Sequence, residues 1–342
     1  MDKKVALVFG ANGMDGSFML ELLLEKGYQV HGTIRRSSVI TTERIDHIFN
    51  KIHLHYADVT DCMNVFNIIS KVLPTEIYNF SAQSHVKISA ELENYTLQVN
   101  TIGVLNILQS VKAAKIEKTC RIYQASTSEI MGNQTDGSIK MNETTEQLPV
   151  SVYGISKYAA QQLCNMYRDA HGMFIVNSIL YNHESSRRGH NFVTQKIANY
   201  VGKIFNNKEI EPLQLGNLNA KRDWGDAKDY VEAIYLMLQQ PTPQNFVIAT
   251  GETHSVREFV ELAFKQINIE IEWQGKDLDE IAINKYTNQV LIKVNPKYYR
   301  DIDIECLIGD ASKAKEILGW EPKTTFTQLV GYMVKAAITR NL

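Results

Sequence analysis

The stretch VALVFGANGMDGSFMLELLLEKGYQVHGTI, residues 5–34, decides the fold. An apolar run at 5–10 leads straight into closely spaced glycines. An amphipathic segment at 17–27 follows, and then a second β-branched run at 28–34. Strand, turn, helix and strand in that order make a βαβ unit and predict a parallel sheet. Within the turn, Gly10 permits the sharp reversal, Gly13 lets the backbone approach a phosphate, and Gly16 lets the helix pack close to the strand. The helix N-terminus then faces the anion. Asn12, Met14 and Asp15 complete this phosphate-binding turn.

The alternation continues through the first half. KIHLHYADV (51–59) reads as a third strand, MNVFNIISKV (63–72) as a helix and EIYNFSA (76–82) as a fourth strand. TIGVLNILQSVKAA (101–114) reads as a long helix, RIYQAST (121–127) as a fifth strand, 154–171 as a helix and FIVNSILYN (174–182) as a sixth strand. The regular alternation then breaks down, and the polar segment 183–225 reads as a long functional loop. DYVEAIYLMLQQ (229–240) is helical and NFVIATG (245–251) a further strand. The expected fold class is α/β, a Rossmann-like doubly wound parallel sheet with a smaller α/β substrate-binding domain. A cofactor domain is expected over 1–180, revisited near 215–250 and 300–315, with 181–342 mainly binding substrate.

The bulk composition removes some functions. A net charge of −2 over 342 residues offers no general attraction to nucleic acid or an anionic membrane. No stretch approaches the roughly 18 apolar residues of a spanning helix, and the N-terminus has no signal-peptide pattern, so a cytoplasmic protein is expected. Cys62, Cys120, Cys164 and Cys306 lie far apart without metal-ligand spacing. Buried thiols and no metal are expected.

The residues after the second strand choose the cofactor. An NAD site carries an acid there for the ribose 2′-hydroxyl, whereas this chain has Arg35, Arg36, Ser37 and Ser38. Two guanidinium groups beside hydroxyls suit a 2′-phosphate, which predicts NADP. Asp58 is either an acceptor for the adenine amine or a surface turn residue. Phe80, Ser81, Ala82, Gln83 and Ser84 close the fourth strand at the carboxyl edge, where ligands collect in such sheets.

Tyr153 and Lys157 stand four residues apart on one helix face. A tyrosine is a poor base near neutral pH until a neighbouring cation stabilises its phenolate, and Lys157 supplies the cation. Ser126-Thr127 ends the fifth strand, and Glu129 follows two residues later.

The glycine turn, the Ser/Thr after the fifth strand and Tyr-x-x-x-Lys together resemble the extended short-chain dehydrogenase/reductase superfamily. Within it the chain is similar to the GDP-mannose 4,6-dehydratase family. The likeness runs through Arg35–Ser38, Gln83–Ser89, Gln124–Glu129, Asn182–Ser185, Asn191–Thr194, Leu215–Leu218, Ala220–Gly225, Ala227–Ala233, Ile248–Gly251 and Val256–Phe259. The resemblance implies a lyase that binds NADP and GDP-mannose, with Thr127, Glu129, Tyr153 and Lys157 catalytic. It adds Val59, Tyr95, His183 and Arg188 to the cofactor contacts. It assigns Ser84, Asn182, Asn191, Lys196, Arg222, Arg257 and Arg300 to the sugar nucleotide, and implies a homodimer or homotetramer. The chain departs from the family pattern with Met14 in place of Gln, Ser186 in place of Pro, Val39–Thr42, and Asp301 after Arg300 in place of Pro. Two other readings compete: a related sugar-nucleotide decarboxylase or epimerase, and a non-catalytic NADP sensor.

Overall fold

The computed structural model describes residues 3–134, 137–208, 211–298 and 304–340. Strand β1 (Val5–Phe9) enters the turn, and α1 (Met14–Glu25) leads to β2 (Gln29–Ile34). Then come β3 (His53–Tyr56), α2 (Cys62–Val72), β4 (Glu76–Asn79), the short helices α3 (Val86–Glu91) and α4 (Glu93–Leu97), and α5 (Gly103–Ala113). Next are β5 (Arg121–Ala125), α6 (Val152–His171) and β6 (Phe174–Leu180). The remainder holds β7 (Asn182–Glu184), α7 (Val193–Phe205), β8 (Leu213–Leu215), β9 (Lys221–Arg222), β10 (Trp224–Asp226), α8 (Ala227–Gln239) and β11 (Phe246–Ile248). Last are β12 (His254–Ser255), α9 (Val256–Lys265), β13 (Ile271–Gln274), β14 (Ile281–Asn284), β15 (Val290–Val294), β16 (Cys306–Leu307), α10 (Ser312–Leu318) and α11 (Phe326–Arg340).

Seven strands form one parallel sheet in the order β11-β6-β5-β4-β1-β2-β3. The order reverses between β1 and β4, so their carboxyl ends open the crevice where doubly wound sheets bind ligands. Val8, Val30 and Tyr78 pack with α1 and α8 on one face. Leu7, Ile77 and Ile122 pack with α2, α5 and α6 on the other. Burial on both faces is what makes these strands read as near-continuous apolar runs.

Several expectations change. The third strand is shorter than 51–59, because Asp58 turns the chain by accepting from the Thr60 N–H at 3.0 Å, and Asp61 caps α2. The long helix at 101–114 begins at Gly103, behind a wider helical turn over Gln98–Ile102. Segment 183–225 is not a single loop: it contains α7 and four short strands. Ile197, Tyr200 and Val201 recur among its polar residues at helical spacing and are buried against α9 and α11. Gly202 permits that approach, since a Cβ there would lie 2.8 Å from the Ala337 main chain. Cys120, Cys164 and Cys306 are buried, but Cys62 in the first turn of α2 is exposed. Among the described residues, no helix is long and apolar enough to cross a membrane.

Candidate active site

The glycine turn is built as its spacing demands. Gly10 has φ +79°, and a Cβ there would come within 3.1 Å of the main chain of Phe80 and Ser81. A Cβ on Gly16 would lie 2.1 Å from the Gly10 carbonyl oxygen, so no side chain fits where α1 meets the turn. The Gly13 N–H donates to Gly10 O at 3.0 Å. With the N-terminus of α1 opening on this turn, the cradle fits a diphosphate.

The turn forms the floor of a cleft of about 1160 Å³, above the roughly 300–1,000 Å³ of a site for one small molecule. It has room for a dinucleotide and a second ligand. Gly10, Asn12, Gly13, Met14, Asp15 and Gly16 line it at one end with Arg35, Arg36 and Ser37. Asp58, Val59, Phe80, Ser81, Ala82 and Ser84 line its flank. Thr127, Glu129, Tyr153 and Lys157 line the cleft as well, as do Asn182, His183, Arg188, Asn191, Lys196 and Arg222.

Three expected residues lie elsewhere. The Gln83 side chain is tied to the main chain of His85 and to Thr96 rather than lining the cleft. Tyr95 meets the cleft only indirectly, by accepting from the Arg35 guanidinium. Arg257 gives its guanidinium to both oxygens of Glu280 at 2.8 and 2.9 Å and stacks over Trp273, so its charge is spent away from the cleft. Arg300 and Asp301 lie outside the described residues.

The central residues come from two elements. Ser151 caps α6 by accepting from the Gly154 N–H at 3.0 Å, and Tyr153 and Lys157 point from its first turns into the protein. Gly154 lets this helix meet the turn holding Glu129, because a Cβ there would lie 2.9 Å from the Glu129 carbonyl oxygen. Thr127 ends the strand pairing and accepts from the Glu129 N–H at 3.3 Å. Burial pushes the Tyr153 phenol up to about 12; the Thr127 hydrogen bond and Arg188 pull it down, while Glu129 and Asp15 add to the rise. Burial pulls the Lys157 ammonium down to about 8, opposed by Asp15.

Some site residues escaped the sequence reading. Arg44 donates to Arg187 O at 2.8 Å and to Asn12 O at 3.2 Å, and the Asn12 amide donates to Thr41 O at 3.0 Å. These bonds fold residues 41–44 over the glycine turn. Glu184 is buried, accepts from the Thr194 hydroxyl at 2.7 Å and pairs with Arg188 at 3.1 Å. Burial raises its pKa, and Arg188 opposes the rise. A Cβ on Gly216 would lie 2.5 Å from Tyr298 O, a close approach that brings the Tyr298 ring beneath the Lys196 ammonium, 4.9 Å from the ring centre. Glu184, Thr194 and Gly216, each inside a quoted motif, carried a signal in sequence; Arg44, Arg187 and Tyr298 did not. Among the described residues, no group of three His, Cys, Asp or Glu could hold a metal ion.

Comparison with known proteins agrees with this architecture. The GDP-mannose 4,6 dehydratase family profile matches residues 7–333. The GDP-mannose 4,6 dehydratase of Drosophila melanogaster is 49% identical over 343 residues, covering 98% of this chain and 86% of that protein. The Homo sapiens protein of the same name is 48% identical over 344 residues, covering 98% and 92%. In fold, a UDP-glucose 4-epimerase from Thermotoga maritima, solved with UDP-glucose, superposes with a TM-score of 0.81 at 22% identity, covering 98% of each chain. A profile match over nearly the whole chain and close to half identity at full coverage make the chain a member of the GDP-mannose 4,6-dehydratase family.

Proposed function

We propose that this enzyme is a lyase that converts GDP-mannose to GDP-4-keto-6-deoxy-mannose and water, using bound NADP. The observation that carries this is the meeting of Thr127, Glu129 and Tyr153 in one cleft that also holds the glycine turn. Arg35, Arg36 and Ser37 at the end of β2 support NADP over NAD, because their charges and hydroxyls suit a 2′-phosphate. When bound, the nicotinamide supplies a hydride acceptor for C4 and returns that hydride to C6.

The chain's own groups move the protons. Tyr153 takes the proton of the C4 hydroxyl as C4 is oxidised to a ketone, and the Thr127 hydrogen bond favours its ionised form. Lys157, buried on the same helix face, supplies positive charge to the site. The new ketone acidifies the C5 hydrogen. Glu129 removes it and delivers a proton to the departing C6 hydroxyl; as hydride returns to C6, a proton is restored to C5, balanced by the one that Tyr153 took and gives up to solvent, so that one water leaves and no net oxidation results. Lys196 and Arg222 also line the cleft, and fixed cations suit the diphosphate of the sugar nucleotide. Binding that remote handle orients the hexose.

The same reading includes a cofactor domain centred on the seven-stranded sheet, a substrate domain around α7, α9 and α11, a homodimer or homotetramer, and a cytoplasmic location. Incubation with GDP-mannose and NADP, followed by mass analysis, tests the activity. Loss of one water is the expected result; an unchanged mass would point to an epimerase and overturn the assignment.

A further inference from the structure

Both ring nitrogens of His183 are already engaged. Nδ1 lies 2.8 Å from the Tyr181 carbonyl oxygen and Nε2 lies 3.0 Å from Asp15 Oδ2. A carbonyl and a carboxylate both accept, so with Asp15 ionised the ring carries a proton on each nitrogen and is an imidazolium. Tyr230 stacks on the ring with centroids 4.8 Å apart. The contact joins residues 168 apart in sequence and ties the first turn of α1 to β7.

Asp15 stands where its charge would do harm if left alone. It lies in the first turn of α1, beside the glycine cradle, and lines the same cleft. Helix N-termini favour anions, but an uncompensated carboxylate there repels a diphosphate. Asp15 Oδ1 is buried without a hydrogen-bond partner among the described residues, which leaves the balancing of its charge to nearby cations. Burial alone would raise the Asp15 pKa; His183, then Arg188 and Lys157, outweigh it and hold the carboxyl low. His183 is raised by Asp15 against the opposing effects of burial and Arg188. Glu184 and Asp226 also sense the charge of His183.

We infer that the His183 side chain serves the cofactor site as a positioning residue: its imidazolium neutralises Asp15 and pins the glycine turn to β7, in place of a direct ring contact to the cofactor. This rests on the proposal that the cofactor diphosphate lies at the N-terminus of α1.

The test compares H183N with the double variant D15N/H183N, reading NADP⁺ affinity by calorimetry. H183N removes the main cation balancing the carboxylate, leaving only Arg188 and Lys157, and weakens binding about tenfold or more; removing that carboxylate in the double variant restores affinity to within about threefold. A double variant as weak as H183N would mean a direct ring contact and overturn the inference. Nitrogen-15 spectra of the cofactor-free protein provide a readout independent of activity. Near neutral pH, His183 is expected to be protonated on both nitrogens in the unmodified protein and to lose one proton in D15N. A neutral ring in the unmodified protein would also overturn the inference. Arg35→Ala and Arg36→Ala test the cofactor placement separately: unchanged NADP⁺ affinity there would mark failure of the cofactor reading, not of the ion pair.

Discussion

Lys157 reaches from α6 to β5 and donates from Nζ to the main-chain oxygen of Ala125 at 2.9 Å, deep in the protein. The bond anchors the ammonium beside the cleft and leaves a charge with little water around it. Burial pulls its pKa from 10.5 to about 8. The sign follows from linkage: the unfolded chain holds this proton more tightly, so the cost is complete below pH 8 and is relieved as pH rises from about 8 toward 10.5. Lys157→Met removes a penalty of about 3 kcal/mol and loses one hydrogen bond to the Ala125 carbonyl, which still accepts from the Gln124 amide at 2.8 Å, for a net gain of roughly 1–2 kcal/mol. Calorimetry should show a higher Tm together with loss of nearly all turnover. An unchanged or lower Tm would contradict this account of the lysine.

The Thr127 hydrogen bond counters the effect of burial on Tyr153. Thr127→Val removes it, so less of the phenol is ionised at any given pH. The expected result is a kcat lower by about ten- to a hundredfold, with the rising limb of the pH profile displaced to higher pH. A loss of rate with no displacement would argue against action through Tyr153.

Gly154 sets how closely α6 approaches the Glu129 turn. In Gly154→Ala the new Cβ would sit 2.9 Å from the Glu129 carbonyl oxygen and 3.1 Å from Pro149 Cβ, and something must shift. Because small displacements of a catalytic group are costly, turnover should fall about a hundredfold. Solvent deuterium entering C5 reports on Glu129 directly, and its incorporation should slow in proportion. Normal incorporation would place the proton transfer elsewhere.

Arg222 and Arg257 separate binding from stability. Arg222 lines the cleft, so Arg222→Ala should raise the KM for GDP-mannose about tenfold or more. Arg257→Ala strands Glu280, whose side chain is 14% exposed, and should cost about 1–3 kcal/mol of stability while changing KM less than threefold. Reversed effects would return Arg257 to the substrate site.

His31, His53 and His55 form a cluster on β2 and β3, with His31 Nδ1 2.9 Å from His55 Nε2. Burial, with His53, His55 and Lys71, lowers His31 to about 4 from 6.5, and His55 is lowered too. The folded state therefore binds fewer protons than the unfolded chain between those values. Stability from this cluster is complete above pH 6.5 and is lost as pH falls toward 4. Thermal melts across that range should show Tm falling with pH, and His31→Gln should flatten the slope. An equal slope in the variant would exclude the cluster as the source.

The strand and helix alternation up to β6 was legible because both faces of the sheet are covered, which leaves an unbroken apolar signature in each strand. The glycine turn was legible because backbone clearance leaves a mark in residue type: no side chain fits at Gly16. Helix α7 escaped notice because only one side of it is apolar, amid a polar stretch. The clamp from Arg44 to Asn12 and Arg187 had no sequence signal, since two of its acceptors are backbone carbonyls.

From its sequence alone, this protein is a parallel α/β enzyme with a phosphate-binding turn and a Tyr-x-x-x-Lys face, since those properties depend on spacing within single elements. Tertiary structure decided which charges face the cleft. Arg257 is neutralised by Glu280 and His183 by Asp15, while Arg222 lines the cleft. Ion pairing at a few ångströms depends on where distant segments meet, and residue type does not encode that distance.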